Sequence, residues 1–286
     1  MFQQNVSKEF LKKYKEHWNK FFIRWKKNPE ATFEEDVIWK NRKGIGETAL
    51  EFDVLPQPYL GDIKNHSVIT LNLNPSRSKK NKENIEFEEK HLPEFKEAEN
   101  YSNYAKNFPT YDIDFWQDQK NWIDRIFKNL GKDAPSEKKI KPFAIEICPW
   151  GSKSFQKLKI KKEDSLIKYM DQHVFDVIEK VIEYSKLKMV LSVGKAYYDI
   201  FDNKKTDFAL QDKISYQKNK PEGMDWPQTI DKKSGKYRDV KRTFSIWKKG
   251  NILYINTYAQ GSNTPPGPTT TISMLWFKTE VFDGLI

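Results

Sequence analysis

A single carboxylate, Glu146, interrupts the apolar run Phe143-Ala144-Ile145-Glu146-Ile147-Cys148. A run of that composition reads as a buried strand, where an unpaired carboxylate costs several kcal/mol. Glu146 therefore has either a partner, such as a lysine or a backbone amide, or a chemical task. The run breaks sharply at Pro149-Trp150-Gly151-Ser152-Lys153. Three other apolar runs end in the same abrupt way: residues 67–73 at Asn74-Pro75-Ser76, residues 189–193 at Gly194-Lys195-Ala196, and residues 251–256 at a segment containing Gln260-Gly261-Ser262-Asn263. An amide such as Asn74 can orient a water through its carbonyl but is no strong base. Hydroxyl, ammonium and backbone amide groups at Ser152, Lys153 and Ser262 are of the kind that hold phosphates, although Lys153 also reads as an ordinary surface lysine. The flat side chains of Phe108, Tyr111 and Trp150 can stack on a base, although core packing is the commoner use of an aromatic.

The elements that must position these groups follow from periodicity. Phe10, Tyr14, Trp18, Phe21, Phe22 and Trp25 fall at helical spacing with lysines opposite, which predicts an amphipathic N-terminal helix over about 5–28. Further helices are expected over 115–130, stopped by Gly131, and over 165–184. Lys249-Gly250 reads as a hairpin turn between 243–247 and 251–256. Two polar stretches, about 77–100 and 203–242, read as insertions in a single domain spanning 1–286. Strands separated by helices imply a parallel sheet covered on both faces. The expected class is α/β: a three-layer α/β/α sandwich with a four-stranded, mainly parallel sheet. Ligands of such sheets collect at the carboxyl ends of the strands, where all four breaks fall.

Composition bounds the partners. Fifty Lys plus Arg against forty Asp plus Glu give a formal charge of +10 in 286 residues, which favours a polyanionic partner. One cysteine, Cys148, rules out an internal disulfide, a multi-cysteine zinc site and a cysteine-ligated iron–sulfur cluster. His17, His66, His91 and His173 lack metal-motif spacing, so neither metal nor cofactor is expected. The absence of an 18-residue apolar run and the charged first twenty residues argue against a membrane partner and a secretory signal. The expectation is a cytoplasmic monomer. Aromatics make up 14%, with nine Trp, in a chain whose mean hydropathy is −0.82.

Over roughly residues 55–263 the chain resembles the uracil-DNA glycosylase superfamily. Leu71-Asn72-Leu73-Asn74-Pro75-Ser76 is similar to the first motif of that superfamily in its Gly-Ile-Asn-Pro-Gly form, with Asn72 and Ser76 in place of the two glycines. Pro58-Tyr59-Leu60-Gly61-Asp62 is similar to the lead-in of many members, and Val193-Gly194-Lys195-Ala196 to a shared third-strand end. Gln260-Gly261-Ser262 falls where the second motif, His-Pro-Ser or Asn-Pro-Ser, would lie, without its His and its Pro.

The resemblance implies a monofunctional DNA glycosylase that flips a base out of the duplex, hydrolyses its N-glycosidic bond and leaves an abasic site. Such a bond breaks through an oxocarbenium-like sugar, so a weakly activated water suffices, and Asn74 falls on the water-positioning asparagine. Glu146 lies near the family's base-reading asparagine. A carboxylate there would favour the exocyclic amine of cytosine over the carbonyl of uracil, which points to a cytosine-type, modified base. Asn74 and Glu146 are thus the candidate catalytic residues. Asn72, Phe108, Tyr111 and Trp150 are candidates for the base, and Ser76, Ser152, Lys153, Lys195, Gln260, Gly261, Ser262 and Asn263 for the DNA backbone. The lysine-rich insertions incline the role toward defence against phage DNA with modified bases. The rival readings are a non-catalytic nucleic-acid or nucleotide sensor on the same fold, a DNA-repair uracil glycosylase, and an unrelated hydrolase of small nucleosides.

Overall fold

The computed structural model describes residues 2–27, 38–39, 50, 56–73, 97–107, 141–151, 164–186, 188–215, 228–230, 234–235, 237–239 and 242–259. The chain is a mixed α/β protein that divides into two compact units, Met1–Trp116 with Lys141–Lys188, and Gln117–Ile140 with Met189–Ile286. No helix among the described residues is long and apolar enough to cross a membrane.

In the first unit, two buried-type runs pair with each other. β1 (Tyr59–Leu60), β2 (Val68–Asn72) and β3 (Pro142–Glu146) lie in the order β1-β3-β2. β2 and β3 are parallel, with Val68 opposite Pro142 and Asn72 opposite Glu146. Every residue of β3, and all of β2 but Asn72, is buried, which is why these strands read as continuous apolar runs and not as alternating ones. β1 is antiparallel to β3 and ends at Gly61, where the chain adopts φ 109° and a Cβ would stand 2.6 Å from the Pro142 carbonyl oxygen. Only glycine combines that backbone angle with so close an approach.

α1 (Phe2–Lys27) buries Leu11, Tyr14, Trp18, Phe21 and Phe22 in a stripe at three- and four-residue spacing and leaves its lysines outside. It packs on α2 (Tyr101–Asn107). Asn100 caps that helix by accepting from the Asn103 amide at 2.9 Å, and Asn19 of α1 accepts from the Ser102 amide at 3.1 Å. The helical stretch expected over 165–184 is present as α3 (Asp164–Met170), a π-helical turn (Asp171–Phe175), α4 (Asp176–Val181) and a closing 3-10 turn (Ile182–Tyr184). Its backbone stays right-handed helical across each junction, and Val174, Phe175, Val177, Ile178 and Val181 form its buried side.

The second unit carries the run β4-β9-β8-β5. β4 (Met189–Val193) pairs in parallel with β9 (Ile252–Ala259), and β8 (Arg242–Lys249) joins β9 through a two-residue turn in which Gly250 takes φ 58°. α5 (Lys195–Phe201) follows β4 directly.

One expectation needs correction. The sheet strands are not four: the anticipated runs appear as β2, β3, β4 and β9, the anticipated hairpin arm 243–247 as β8 antiparallel to β9, and β1 and β5 (Ala209–Ser215) are further antiparallel strands. The stretch 203–242, expected as a polar insertion, carries β5, which pairs along β8, and β6 (Gln228–Ile230), which pairs with β7 (Tyr237–Asp239). β5 escapes a sequence reading because backbone pairing at an edge, and not an apolar face, defines it; Ala209, Leu210 and Gln211 are exposed. The helix expected over 115–130 and residues 77–96 of the other insertion lie outside the described residues.

Candidate functional site

The parallel register of β2 and β3 sets Asn72 and Glu146 side by side at the carboxyl ends of adjacent strands. The Asn72 Nδ2 donates to Glu146 Oε1 at 3.1 Å. The backbone ladder continues past the pair, from the Ile147 amide to the Asn72 carbonyl at 2.9 Å and from the Cys148 amide to the Leu73 carbonyl at 2.8 Å. On the other side the Glu146 amide donates to the Pro58 carbonyl at 3.0 Å, and the Gln57 amide to the Pro149 carbonyl at 2.7 Å. The lead-in 56–60 and the turn after β3 are thereby tied to one another around the glutamate.

Glu146 is only 6% exposed, and its Oε2 has no hydrogen-bond partner among the described residues. Burial raises its carboxyl from 4.5 to about 8, a rise the Asn72 hydrogen bond opposes but does not cancel. At pH 7 the group is therefore mostly the neutral acid, with one O–H donor and remaining acceptor capacity. This amends the sequence-based picture twice. Among the described residues the partner is an asparagine, not a lysine or a backbone amide, and the side chain near neutrality is a donor as well as an acceptor. Perturbed carboxyls of this kind concentrate at functional sites, because a group that must exchange a proton near neutrality needs such an environment.

The other expected site residues fall in three places. Trp150 is 1% exposed and meets Phe21 of α1 edge-on at 5.7 Å between ring centroids, so stacking on a base would require it to leave that contact. Lys195 is exposed in the first turn of α5 and ion-paired with Asp199 at 2.7 Å. Asn74, Ser76, Phe108, Tyr111, Ser152, Lys153, Gln260, Gly261, Ser262 and Asn263 lie outside the described residues.

One polar pair was missed. In the second unit Ser192 of β4 donates to Asn256 Oδ1 of β9 at 3.0 Å, while Asn256 Nδ2, fully buried, has no partner among the described residues. The signal was available: Asn256 breaks the apolar run Ile252-Leu253-Tyr254-Ile255 as Glu146 breaks its own.

The lysines near Asp62 belong elsewhere. Lys15, Lys64 and Lys106 share the surroundings of this aspartate, which Lys106 approaches at 3.7 Å. The segment lies between β1 and the amino end of β2, away from the Asn72 and Glu146 end. Among the described residues no group of three or more His, Cys, Asp or Glu is placed to hold a metal ion. No protein-family model, no curated protein and no solved structure matches the chain.

Proposed function

We propose that the chain is a monofunctional DNA glycosylase, built on a three-layer sandwich like that of the uracil-DNA glycosylase superfamily, which flips a cytosine-type base and hydrolyses its N-glycosidic bond. One observation carries the reading: a buried, neutral glutamate paired with an asparagine where two parallel strands end. Strand carboxyl ends are where ligands of α/β sheets bind. A neutral carboxyl matches the cytosine edge, since its O–H faces the ring nitrogen N3 while its carbonyl oxygen faces the N4 amine.

In this reading Asn74 orients the attacking water through its side-chain carbonyl, and Asn72 and Glu146 hold the base edge. The reaction needs no strong base, because the sugar approaches an oxocarbenium ion before the water closes on it. The formal charge of +10 supplies attraction to the phosphate backbone. A role against phage DNA carrying modified cytosines fits this chemistry.

The test is incubation of the full chain with duplexes bearing uracil, cytosine, hydroxymethylcytosine or its glucosylated form, followed by scoring of alkali-labile abasic sites. Release of a cytosine-type base, abolished in Asn74→Ala, is expected. Efficient release of uracil with the cytosines untouched overturns the assignment of the base. Tight DNA binding without abasic sites overturns the enzyme in favour of a sensor.

A further inference from the structure

Glu146 has two oxygens in unequal surroundings. Oε1 accepts from Asn72 Nδ2 at 3.1 Å, whereas Oε2 is buried without a hydrogen-bond partner among the described residues. An amide N–H can only donate, so the oxygen it meets is best left as the carbonyl of the acid, which places the proton on the other oxygen. A buried O–H with no acceptor carries a desolvation cost of about 1–3 kcal/mol, which an incoming acceptor relieves.

We propose that Asn72 is a positioning residue that fixes the Glu146 proton on Oε2, and that Oε2–H serves as the general acid toward a ring nitrogen of the departing base. The inference rests on the glycosylase reading for its reaction, though not for its proton. In the step, the water oxygen bonds to the anomeric carbon as the bond from that carbon to the base nitrogen breaks. The electron pair goes to the base. The Oε2 proton passes to the acceptor nitrogen of the base ring, so that the base leaves neutral. The water's surplus proton goes to solvent, and solvent later returns one to the Glu146 carboxylate. A base with a free acceptor nitrogen in its ring, of the cytosine type, is the substrate class this proton suits, because the equivalent nitrogen of uracil already carries hydrogen.

Among the described residues, burial and the Asn72 amide set the ionisation of Glu146, and no charged group contributes. Two titratable groups of the surrounding segments have other engagements. The Tyr59 hydroxyl of β1 bonds with Ser102 Oγ at 3.0 Å, and the Cys148 thiol of the following turn donates to the Trp150 carbonyl at 3.6 Å.

The experiment follows single-turnover base release from a duplex carrying one cytosine or hydroxymethylcytosine between pH 6 and 9.5. For the wild type the rate should stay level up to about pH 8 and then fall about tenfold per pH unit, as the acid ionises. Asn72→Ala should slow release roughly tenfold at pH 7, and its alkaline limb should move to higher pH, because the lost hydrogen bond favoured the ionised form. Glu146→Gln should lose about a hundredfold or more and show no alkaline limb. A rate indifferent to pH through 9, or a limb unmoved in Asn72→Ala, overturns the inference.

If no duplex releases a base, the glycosylase reading has failed, and binding of free cytosine over the same pH range decides this one. Affinity lost through about pH 8, with the loss displaced upward in Asn72→Ala, upholds the placement of the proton by Asn72 and ends only its use as a general acid; flat or absent binding ends both. Difference infrared spectra of wild type against Glu146→Gln follow the carboxyl band itself, so a misfolded variant cannot imitate the result.

Discussion

Replacing Glu146 by glutamine should make the protein more stable, by an amount that depends on pH in a calculable way. The unfolded chain releases the Glu146 proton near 4.5, whereas burial holds it in the folded chain until about pH 8. Below pH 4.5 both states are protonated, and the group costs nothing. Between those values the unfolded chain is favoured progressively, because only it has ionised, and stability falls by about 1.4 kcal/mol per pH unit. The 2.5 pH units from 4.5 to 7 then correspond to about 3 kcal/mol, and the full interval to about pH 8 to about 5 kcal/mol. The sign is that of a raised carboxyl: stability is intact at low pH and drains away as pH rises toward 8.

Glutamine is neutral throughout and nearly the same shape, and its Oε1 can still accept from Asn72 Nδ2. Glu146→Gln should therefore gain about 3 kcal/mol over wild type at pH 7, about 5 kcal/mol at pH 8.5, and almost nothing at pH 4.5. Urea unfolding followed by tryptophan fluorescence at these three pH values measures the difference between midpoints. Titrations elsewhere in the chain enter both proteins equally and cancel. A gain of the same size at pH 4.5 and pH 7 would refute the reasoning, since it would mean that Glu146 ionises like an ordinary surface carboxylate. A loss at pH 7 would mean that glutamine's extra donor finds no acceptor, and that the site needs the carboxyl oxygen as such.

His66 should show the opposite dependence. Burial pushes its imidazole down from 6.5 to about 4, against the opposing hydrogen bond to the Asp62 carbonyl, so about 3 kcal/mol of stability present above pH 6.5 should vanish as pH falls to 4, and His66→Gln should flatten that acid limb of the unfolding curve. Gly61→Ala should destabilise the fold by about 2 kcal/mol or more, read from the urea midpoint, because the new Cβ meets the Pro142 carbonyl at 2.6 Å on a backbone of positive φ; a midpoint within about 0.5 kcal/mol of wild type would show that the lead-in does not press on β3 as described.

The parts of this fold that were legible in the sequence are those whose burial leaves a strong apolar pattern. β2, β3, β4 and β9 announced themselves as short apolar runs, and α1 through the spacing of Tyr14, Trp18, Phe21 and Phe22. Tyr59–Leu60 did not, being buried but only two residues long, nor did Ala209–Ser215, an edge strand whose first residues are exposed and which is defined by the neighbour it pairs with. The π-helical turn at Asp171–Phe175 has no counterpart in the periodicity either. At the site, Glu146 was visible because a charge in an apolar run is expensive wherever the chain goes. Its partner was not: Asn72 lies 74 residues away, and only the parallel register of β2 on β3 brings the two together.

That register also explains why the pair persists. A buried acid with an unengaged oxygen would ordinarily be relieved by fraying of the strand end or by rotation of the side chain toward water. Here the ladder runs on beyond it through the Ile147 and Cys148 amides, and the Pro58 carbonyl holds the Glu146 amide from the opposite side, so the backbone cannot retreat. The cost at Glu146 is thus imposed by well-paired neighbours, while Asn72 satisfies just one of the two oxygens. The Ser192 and Asn256 pair is a milder version, a neutral amide whose oxygen is bonded and whose nitrogen is not. Of these two pairs, the one that carries a titratable group is the one at the ends of the parallel strands β2 and β3.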